Sequence, residues 1–325
     1  MMRVGTWAFD LSEEGLKFYK QIGVNDVILR LRNIPEFDST GSIQAKTLSQ
    51  VKRQIESAGL RVESMTYDWP HRFLKDAYLG LPGGDAQIEN LCRTIRYAGL
   101  VGIPMLEILA LTAYWPPKPP PGYSKVRGRG GSLLHTFDYD GALRTMDAPI
   151  GKVDADELWE GYFRVYKAAI PVAEEVGVRL CIHGNDPPIP EYRGLPYVLR
   201  NFAAFDRLFA EIPSDSSGIT YCVGTRYESG EDVFEGIRHF GEAGRLFHVH
   251  FRNVVGNIPR DRGYQEVFLD EGDLDMMEVV LALHEIGYDG VINVDHVPIM
   301  DGDTQDWKVA TAWAVAYIKG LLSRI

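Results

Sequence analysis

Short apolar runs alternate with longer stretches of helical periodicity along the whole chain. The runs fall at 3–6, 26–31, 61–65, 105–109, 179–183, 219–222, 246–251 and 291–295. Segments such as Val27-Ile-Leu29 and Leu246-Phe-His-Val-His250 read as strands, and each is followed by turn chemistry or a polar loop. Between them, apolar spacing of three and four predicts helices over 13–22, 43–58, 86–98, 155–176, 197–212, 233–243, 274–286 and 307–322. Asp232 and Asp273 are placed to cap helix N-termini, and Gly59, Gly99 and Gly287 to lie just past helix ends. The turns Ile22-Gly23-Val24, Ala58-Gly59-Leu60 and Val176-Gly177-Val178 repeat one helix-to-strand signature, in which glycine takes the left-handed cap. Eight strand–helix units in series predict a single α/β domain, a (β/α)8 TIM barrel over 1–325. A doubly wound sheet is the structural alternative.

One segment breaks the rhythm. Residues 112–153 contain Trp115-Pro-Pro-Lys-Pro-Pro-Pro-Gly122 and Arg127-Gly-Arg-Gly-Gly131, between the fourth strand and its helix. The glycine run has neither the spacing nor the context of a phosphate-binding loop. An insertion this long at the C-terminal end of a barrel strand is expected to be a lid over the mouth or an intersubunit arm.

Composition narrows the function classes. A formal charge of −11 argues against a nucleic-acid surface, which needs clustered Lys and Arg. No apolar run reaches the ~18 residues of a membrane span, and the N-terminus lacks the apolar core of a signal peptide. Three cysteines in 325 residues make no disulfide framework, which suits a reducing cytoplasm. Cys92 and Cys181 read as small buried apolar side chains.

The candidate chemistry lies at the ends of the last four strands. His183, Cys222, His250 and Asp295 each end one, and a parallel barrel gathers its strand C-termini at one mouth. Alternate residues of a strand share a face, so Cys181, Thr220, His248 and Asn293 lie one layer deeper. Two imidazoles, a carboxylate and one thiolate suit a divalent transition metal, with Mn or Fe leading and Co or Zn as alternatives. His296 follows Asp295 and can move a proton at the substrate without ligating. Arg252 and Asn253 follow His250, where they can hold substrate oxygens or a carboxylate behind the ligands. Glu107 is a weaker candidate for the rim. His71, His135, His239 and His284 read as surface or packing residues.

At these positions the chain resembles the metal-dependent mannonate dehydratases of the xylose-isomerase-like barrel type. The matching pieces are Cys181-Ile-His-Gly-Asn-Asp-Pro-Pro188, Gly194-Leu-Pro196, Ile219-Thr-Tyr-Cys-Val-Gly224 and His250-Phe-Arg-Asn-Val254, then Gln265-Glu266, Glu271-Gly-Asp-Leu-Asp-Met276 and Asp295-His296. They run in the family's order through most of 155–325. The resemblance implies ligation by His183, Cys222, His250 and Asp295, and catalysis by His296. It also implies loss of water from D-mannonate to give 2-keto-3-deoxygluconate, a step of hexuronate breakdown. Three departures accompany it. Family His-Pro-Asp-Asp-Pro-Pro reads His183-Gly-Asn-Asp-Pro-Pro188. Family Arg-Pro-Asp-His-Gly reads Asn293-Val-Asp-His-Val297, so Asn293 stands at an arginine's place on the substrate. The family's catalytic Tyr has no clear match, Asp306-Trp307 lying nearest.

The sequence thus predicts a cytoplasmic, homo-oligomeric, metal-assisted lyase that eliminates water from a sugar acid. Its expected substrate is a relative of D-mannonate rather than D-mannonate itself, although Arg252 could compensate for the missing arginine. A metal-dependent sugar isomerase or epimerase and a non-catalytic carbohydrate-binding barrel are the alternatives.

Overall fold

The computed structural model describes residues 1–68, 70–114, 119–303 and 307–325. Its core is a closed barrel of eight parallel strands: β1 (Arg3–Ala8), β2 (Asp26–Arg30), β3 (Arg61–Tyr67), β4 (Met105–Leu109), β5 (Arg179–His183), β6 (Ser217–Cys222), β7 (Leu246–Phe251) and β8 (Val291–Val294). Each strand pairs with its neighbours in sequence, and β1 closes on β8 from Arg3↔Val291 to Thr6↔Val294. Closure removes every sheet edge, which the doubly wound alternative would have left exposed.

Eight helices cover the outer face: α1 (Glu13–Gln21), α2 (Ala45–Ser57), α3 (Gly84–Val101), α4 (Ala155–Val176), α5 (Phe202–Glu211), α6 (Val233–Glu242), α7 (Met276–Glu285) and α8 (Lys308–Leu322). α4 shows why they form. Leu158, Tyr162, Val165, Ala169 and Ala173 recur every three or four residues and are all buried. Asp154 caps its first turn through the Asp156 and Glu157 amides, and Gly177 ends it at φ 68°. No helix among the described residues is long and apolar enough to cross a membrane.

Three local expectations are corrected. The α7 cap is Asp275, whose side chain accepts from the Met277 amide; Asp273 instead accepts from the Gly256 amide and the Tyr227 hydroxyl. Gly99 lies inside α3, which runs on to Gly102 at φ 72°; at Gly99 the helix passes so close to Val176 that a Cβ would meet that side chain at 2.6 Å. The helix expected from 197 begins at Phe202, because the Asn201 side chain caps it through the Ala204 amide. Tyr197 is buried ahead of it and accepts from the Ala113 amide.

The insertion is ordered structure where it is described. Strands Tyr123–Arg127 and Leu133–Asp138 form a hairpin, and Gly130 and Gly131 make its turn at φ 62° and 91°. The hairpin joins Gly263–Val267 and Asn253–Val255, from the excursion after β7, in a four-stranded antiparallel sheet. A short helix, Tyr139–Thr145, follows, capped by Asp138. Arg129, in the glycine run, pairs with Asp270 at 2.9 Å and lies 4.2 Å over the Phe268 ring. Apolar, aromatic and ionic contacts therefore tie the insertion to the β7 side of the mouth.

The barrel interior beneath the mouth is polar. Ser64, Thr66, Glu107, Thr220, His248 and Asn293 are all buried there, where TIM barrels ordinarily stack branched aliphatic side chains. Outside the barrel, Gly161 of α4 meets the carbonyl of Tyr78, and a Cβ would run into that backbone oxygen. Gly161→Ala should therefore destabilise the fold by about 1–3 kcal/mol, the usual cost of overpacking. Urea unfolding with an unchanged slope and a lower midpoint would show it; an unchanged midpoint would mean the α4 contact is loose.

Candidate active site

The C-terminal ends of the barrel strands surround a cavity of about 400 Å³. β5, β7 and the chain leaving β8 bring His183, His250, Asp295 and His296 to its wall, while β1, β2 and β3 bring Trp7, Phe9, Arg30, Arg32 and Thr66. The insertion contributes Thr112, Tyr114, Tyr123 and His135, and its sheet partner contributes Glu266.

At the floor, His183, Cys222 and His250 each offer a donor atom within 4.8 Å of one another. Asp295 joins them, with Oδ2 3.7 Å from the Cys222 Sγ and Oδ1 3.8 Å from His250 Nδ1. Thus all four expected ligands meet. The surroundings orient each one. His183 Nδ1 is 2.8 Å from the Gly184 carbonyl, so as Nδ1–H it donates there and leaves Nε2 as the lone-pair nitrogen. His250 Nε2 lies 3.3 Å from Glu107 Oε1, yet neither His250 nitrogen makes a hydrogen bond among the described residues. The Thr225 hydroxyl donates to Cys222 Sγ at 3.1 Å.

Electrostatics follow from this packing. Burial alone would raise the Cys222 thiol, but Arg252 and the neighbouring His183 and His250 hold it well below its ordinary value. Burial opposes a charge on His183, but Cys222, Glu107 and Asp295 outweigh it and push it up to about 9. Asp295 is held well below the carboxylate range, because His296, His250 and Arg252 overcome its burial. Thiolate and carboxylate therefore face imidazoles across the cavity floor.

His296 sits half-exposed on the wall, its Nδ1 2.8 Å from Glu266 Oε1 and its Nε2 3.9 Å from Asp295 Oδ1. Burial opposes its charge, yet Asp295 and Glu266 push it up to about 10. Glu266 is lowered in return to about 2, its burial outweighed by His296 and Arg252. His135 shifts the other way: burial lowers it, and His296 adds repulsion against the pull of Glu266.

Other expectations fall differently. Arg252 is fully buried and off the cavity wall, with Nη2 at 2.8 Å from Asp186, Nε 3.2 Å from Asp295 and Nη1 on Glu228. It holds a carboxylate behind the ligands and has no reach to substrate oxygens. Asn253 is buried with its back to the site, donating to the Leu269 and Leu274 carbonyls. Asn293 is fully buried one layer below Asp295, and its side chain finds no partner among the described residues. Glu107 lies in that deeper layer too, not at the rim, and accepts from the Thr66 hydroxyl at 2.8 Å. His248 is likewise buried; burial and His250 beside it push it well below its ordinary value. His135 lines the cavity and is no packing residue. Asp306 lies outside the described residues, whereas Trp307 lines the cavity and meets Phe9 edge to face at 5.3 Å.

Sequence reasoning missed Arg30, Arg32, His135, Asp186, Tyr114 and Tyr123. One signal was available for two of them. Val27-Ile-Leu-Arg-Leu-Arg32 ends a buried strand with two arginines at alternate positions, where a core strand should carry none.

Comparisons with known proteins agree with this geometry. The family described as D-mannonate dehydratase (UxuA) matches residues 140–325. The mannonate dehydratase of Thermotoga maritima is 29% identical over 315 residues, covering 86% of this chain and 84% of the relative. Mannonate dehydratase 2 of Halalkalibacterium halodurans is 27% identical, covering 89% and 88%. The crystal structure of mannonate dehydratase from Streptococcus suis serotype 2 superposes with a TM-score of 0.84 at 25% identity, over 99% of this chain and 93% of that one. D-psicose 3-epimerase from Clostridium cellulolyticum H10, with a TM-score of 0.66 at 14% identity over 99% of each chain, shares the fold. The family match takes in more than half of the chain, including all four strand ends that build the cavity floor, and the chain belongs to the D-mannonate dehydratase family.

Proposed function

We propose that the protein is a metal-dependent hydro-lyase that removes water from a sugar acid to give a 2-keto-3-deoxy acid. The observation that carries this reading is the meeting of two imidazoles, a thiol and a carboxylate at the floor of one cavity, with His296 on its wall. Fit to a cation is supported by the buried His250 nitrogens, which lack hydrogen-bond partners among the described residues, and by the thiol held toward its anionic form. His183, Cys222, His250 and Asp295 would hold the ion, a donor set that suits Mn, Fe, Co or Zn and that the thiolate turns away from Mg and Ca. When bound, the ion supplies Lewis-acid polarisation of a substrate oxygen and stabilises the charge developing there.

The protein's own groups supply the proton traffic. Glu266 accepts from His296 Nδ1 and fixes the ring, leaving Nε2 as the transferring nitrogen. Because His296 is pushed up to about 10, it is protonated at neutral pH and acts as the acid for the departing hydroxyl. His135 is lowered by burial, stays neutral, and takes the proton beside the substrate carboxylate. Two titratable groups driven apart in this way divide acid and base work. As the C–H proton goes to His135, the neighbouring C–O bond breaks and the hydroxyl leaves as water with the proton from His296. The resulting enol becomes the 2-keto acid. The 112–153 insertion, whose Tyr123 and His135 line the cavity, would cover the mouth and keep bulk water from that step. The epimerase alternative draws on fold alone, and a binding barrel has no use for an acid–base imidazole pair.

His296→Asn should keep its metal while turnover falls by ~10²–10⁴-fold, the range of a lost general acid. Metal analysis beside single-turnover rates checks both halves; near-normal turnover would return His296 to a structural role. Cys222→Ala should lower bound metal at limiting Mn by about tenfold or more, because thiolate charge is lost from the donor set. Stoichiometric metal in that variant at the same free Mn concentration would remove Cys222 from the ligand set.

A further inference from the structure

The cavity has a second charged end. Arg30 closes β2, and β2 stands diametrically across the eight-stranded barrel from β6, which carries Cys222. Arg32 follows in the turn after β2, and both arginines line the cavity. Among the described residues the two guanidinium groups share one carboxylate. Arg30 donates from Nε and Nη2 to Asp68 Oδ1 at 3.2 and 2.9 Å, which leaves Nη1 outside that pairing. Arg32 takes Asp68 Oδ2 through its backbone amide at 3.4 Å, and its Nε lies 3.9 Å from Oδ1. Asp68 is almost wholly buried, so it serves as an anchor behind the pair.

Aromatic rings fix the pair in place. The Arg30 guanidinium carbon sits 4.8 Å from the Trp7 centroid and 5.4 Å from that of Phe9. Trp7 in turn meets His250 edge to face at 5.2 Å. One indole therefore separates the arginines from the ligand cluster. Burial and repulsion from Arg30 lower Arg32 to about 10 despite Asp68 and Asp38, a crowding that a bound anion would relieve. Meanwhile Arg252, the basic side chain nearest the ligands, is committed to Glu228, Asp186 and Asp295.

We propose that Arg30 and Arg32 form an anion subsite for the far end of the substrate, so that the sugar acid carries a second terminal anion, a carboxylate or a phosphate, away from the reacting carbons. A six-carbon chain spans roughly 6 Å between its end carbons at ~1.5 Å per bond with tetrahedral angles, and its terminal oxygens extend that reach toward Arg30 and His250, which lie 4.8 and 5.2 Å from the Trp7 centroid. Planar guanidinium forks match both terminal groups. The proposal rests on the dehydratase reading for which end reacts, but anion binding at the arginines does not depend on turnover.

The test uses Mn-loaded protein and three ligands of one configuration: D-mannonate, D-mannarate and D-mannonate 6-phosphate. Calorimetry should show at least one of the two ligands with an anionic group at each end, termed dianions for those two groups, binding ~10- to 100-fold more tightly than D-mannonate, the range of a charge-assisted hydrogen-bonded pair. Which dianion gains tells terminal carboxylate from phosphate. Arg32→Gln should abolish that preference while D-mannonate affinity stays within about twofold, and Arg32→Lys should restore part of it. Thermal melting confirms that each variant is folded. Equal affinities for all three ligands in the unsubstituted protein would overturn the subsite, as would Arg32→Gln weakening all three alike. Tight dianion binding with no keto-acid product would sink the dehydratase reading and leave the subsite standing. Turnover of D-mannonate with no dianion preference would do the reverse.

Discussion

Everything at the mouth depends on keeping one guanidinium buried. Arg252 has no exposed surface, and around it lie Glu228, Asp186, Asp295 and, at 3.7 Å, Glu266. An isolated ion in such a place would be untenable, and so would that many carboxylates without it. Together they form a network in which Arg252 donates to Glu228 and Asp186 and lies close to the charges of Asp295 and Glu266. The Thr225 hydroxyl completes it, accepting from Arg252 Nη2 at 2.8 Å and donating to Cys222 Sγ at 3.1 Å. This is how the ligand strands β6, β7 and β8 are held in mutual register at their ends. The same cation lowers the thiol and, after His296 and His250, helps to hold Asp295 ionised, so it bears on both geometry and charge at the cavity floor.

The polar layer beneath is the second constraint. His248, Asn293, Thr220 and Ser64 carry polar atoms without partners among the described residues, which is uncommon in a barrel core. Glu107 accepts from the Thr66 hydroxyl on the neighbouring strand and faces His250. Such a core forfeits some apolar burial in exchange for an oriented imidazole, a trade found where function overrides packing.

Much of this was legible in the sequence, for identifiable reasons. The meeting of His183, Cys222, His250 and Asp295 could be read because each is placed by its own strand: the period of two decides the face, and the strand end decides the height. The caps at Asp232 and the glycine turns at 23, 59 and 177 were legible on the same local grounds. What failed was non-local. Asn253 follows Arg252 by one position, so the alternation turns its side chain away, and it serves the Leu269 and Leu274 carbonyls. His135 reached the cavity only because the insertion pairs with Gly263–Val267 across a long sequence separation. Arg252 looked available because a sequence does not display the four carboxylates that surround it.

The strand order around the barrel also separates two tasks. The residues proposed to hold the ion, and His296, come from β5 to β8 and the chain after it, within the stretch that the family match covers, while His135 comes from the insertion just ahead of that stretch. The aromatic and cationic wall facing them comes from β1 and β2, outside that stretch. Changes in the first seventy or so residues therefore act first on the wall that meets the substrate, and reach the other half through the Trp7–His250 contact, the Thr66–Glu107 hydrogen bond and the β1–β8 pairing. An architecture of this kind lets the substrate-facing wall vary through a few side chains of the opening segment, apart from the two imidazoles proposed to move protons.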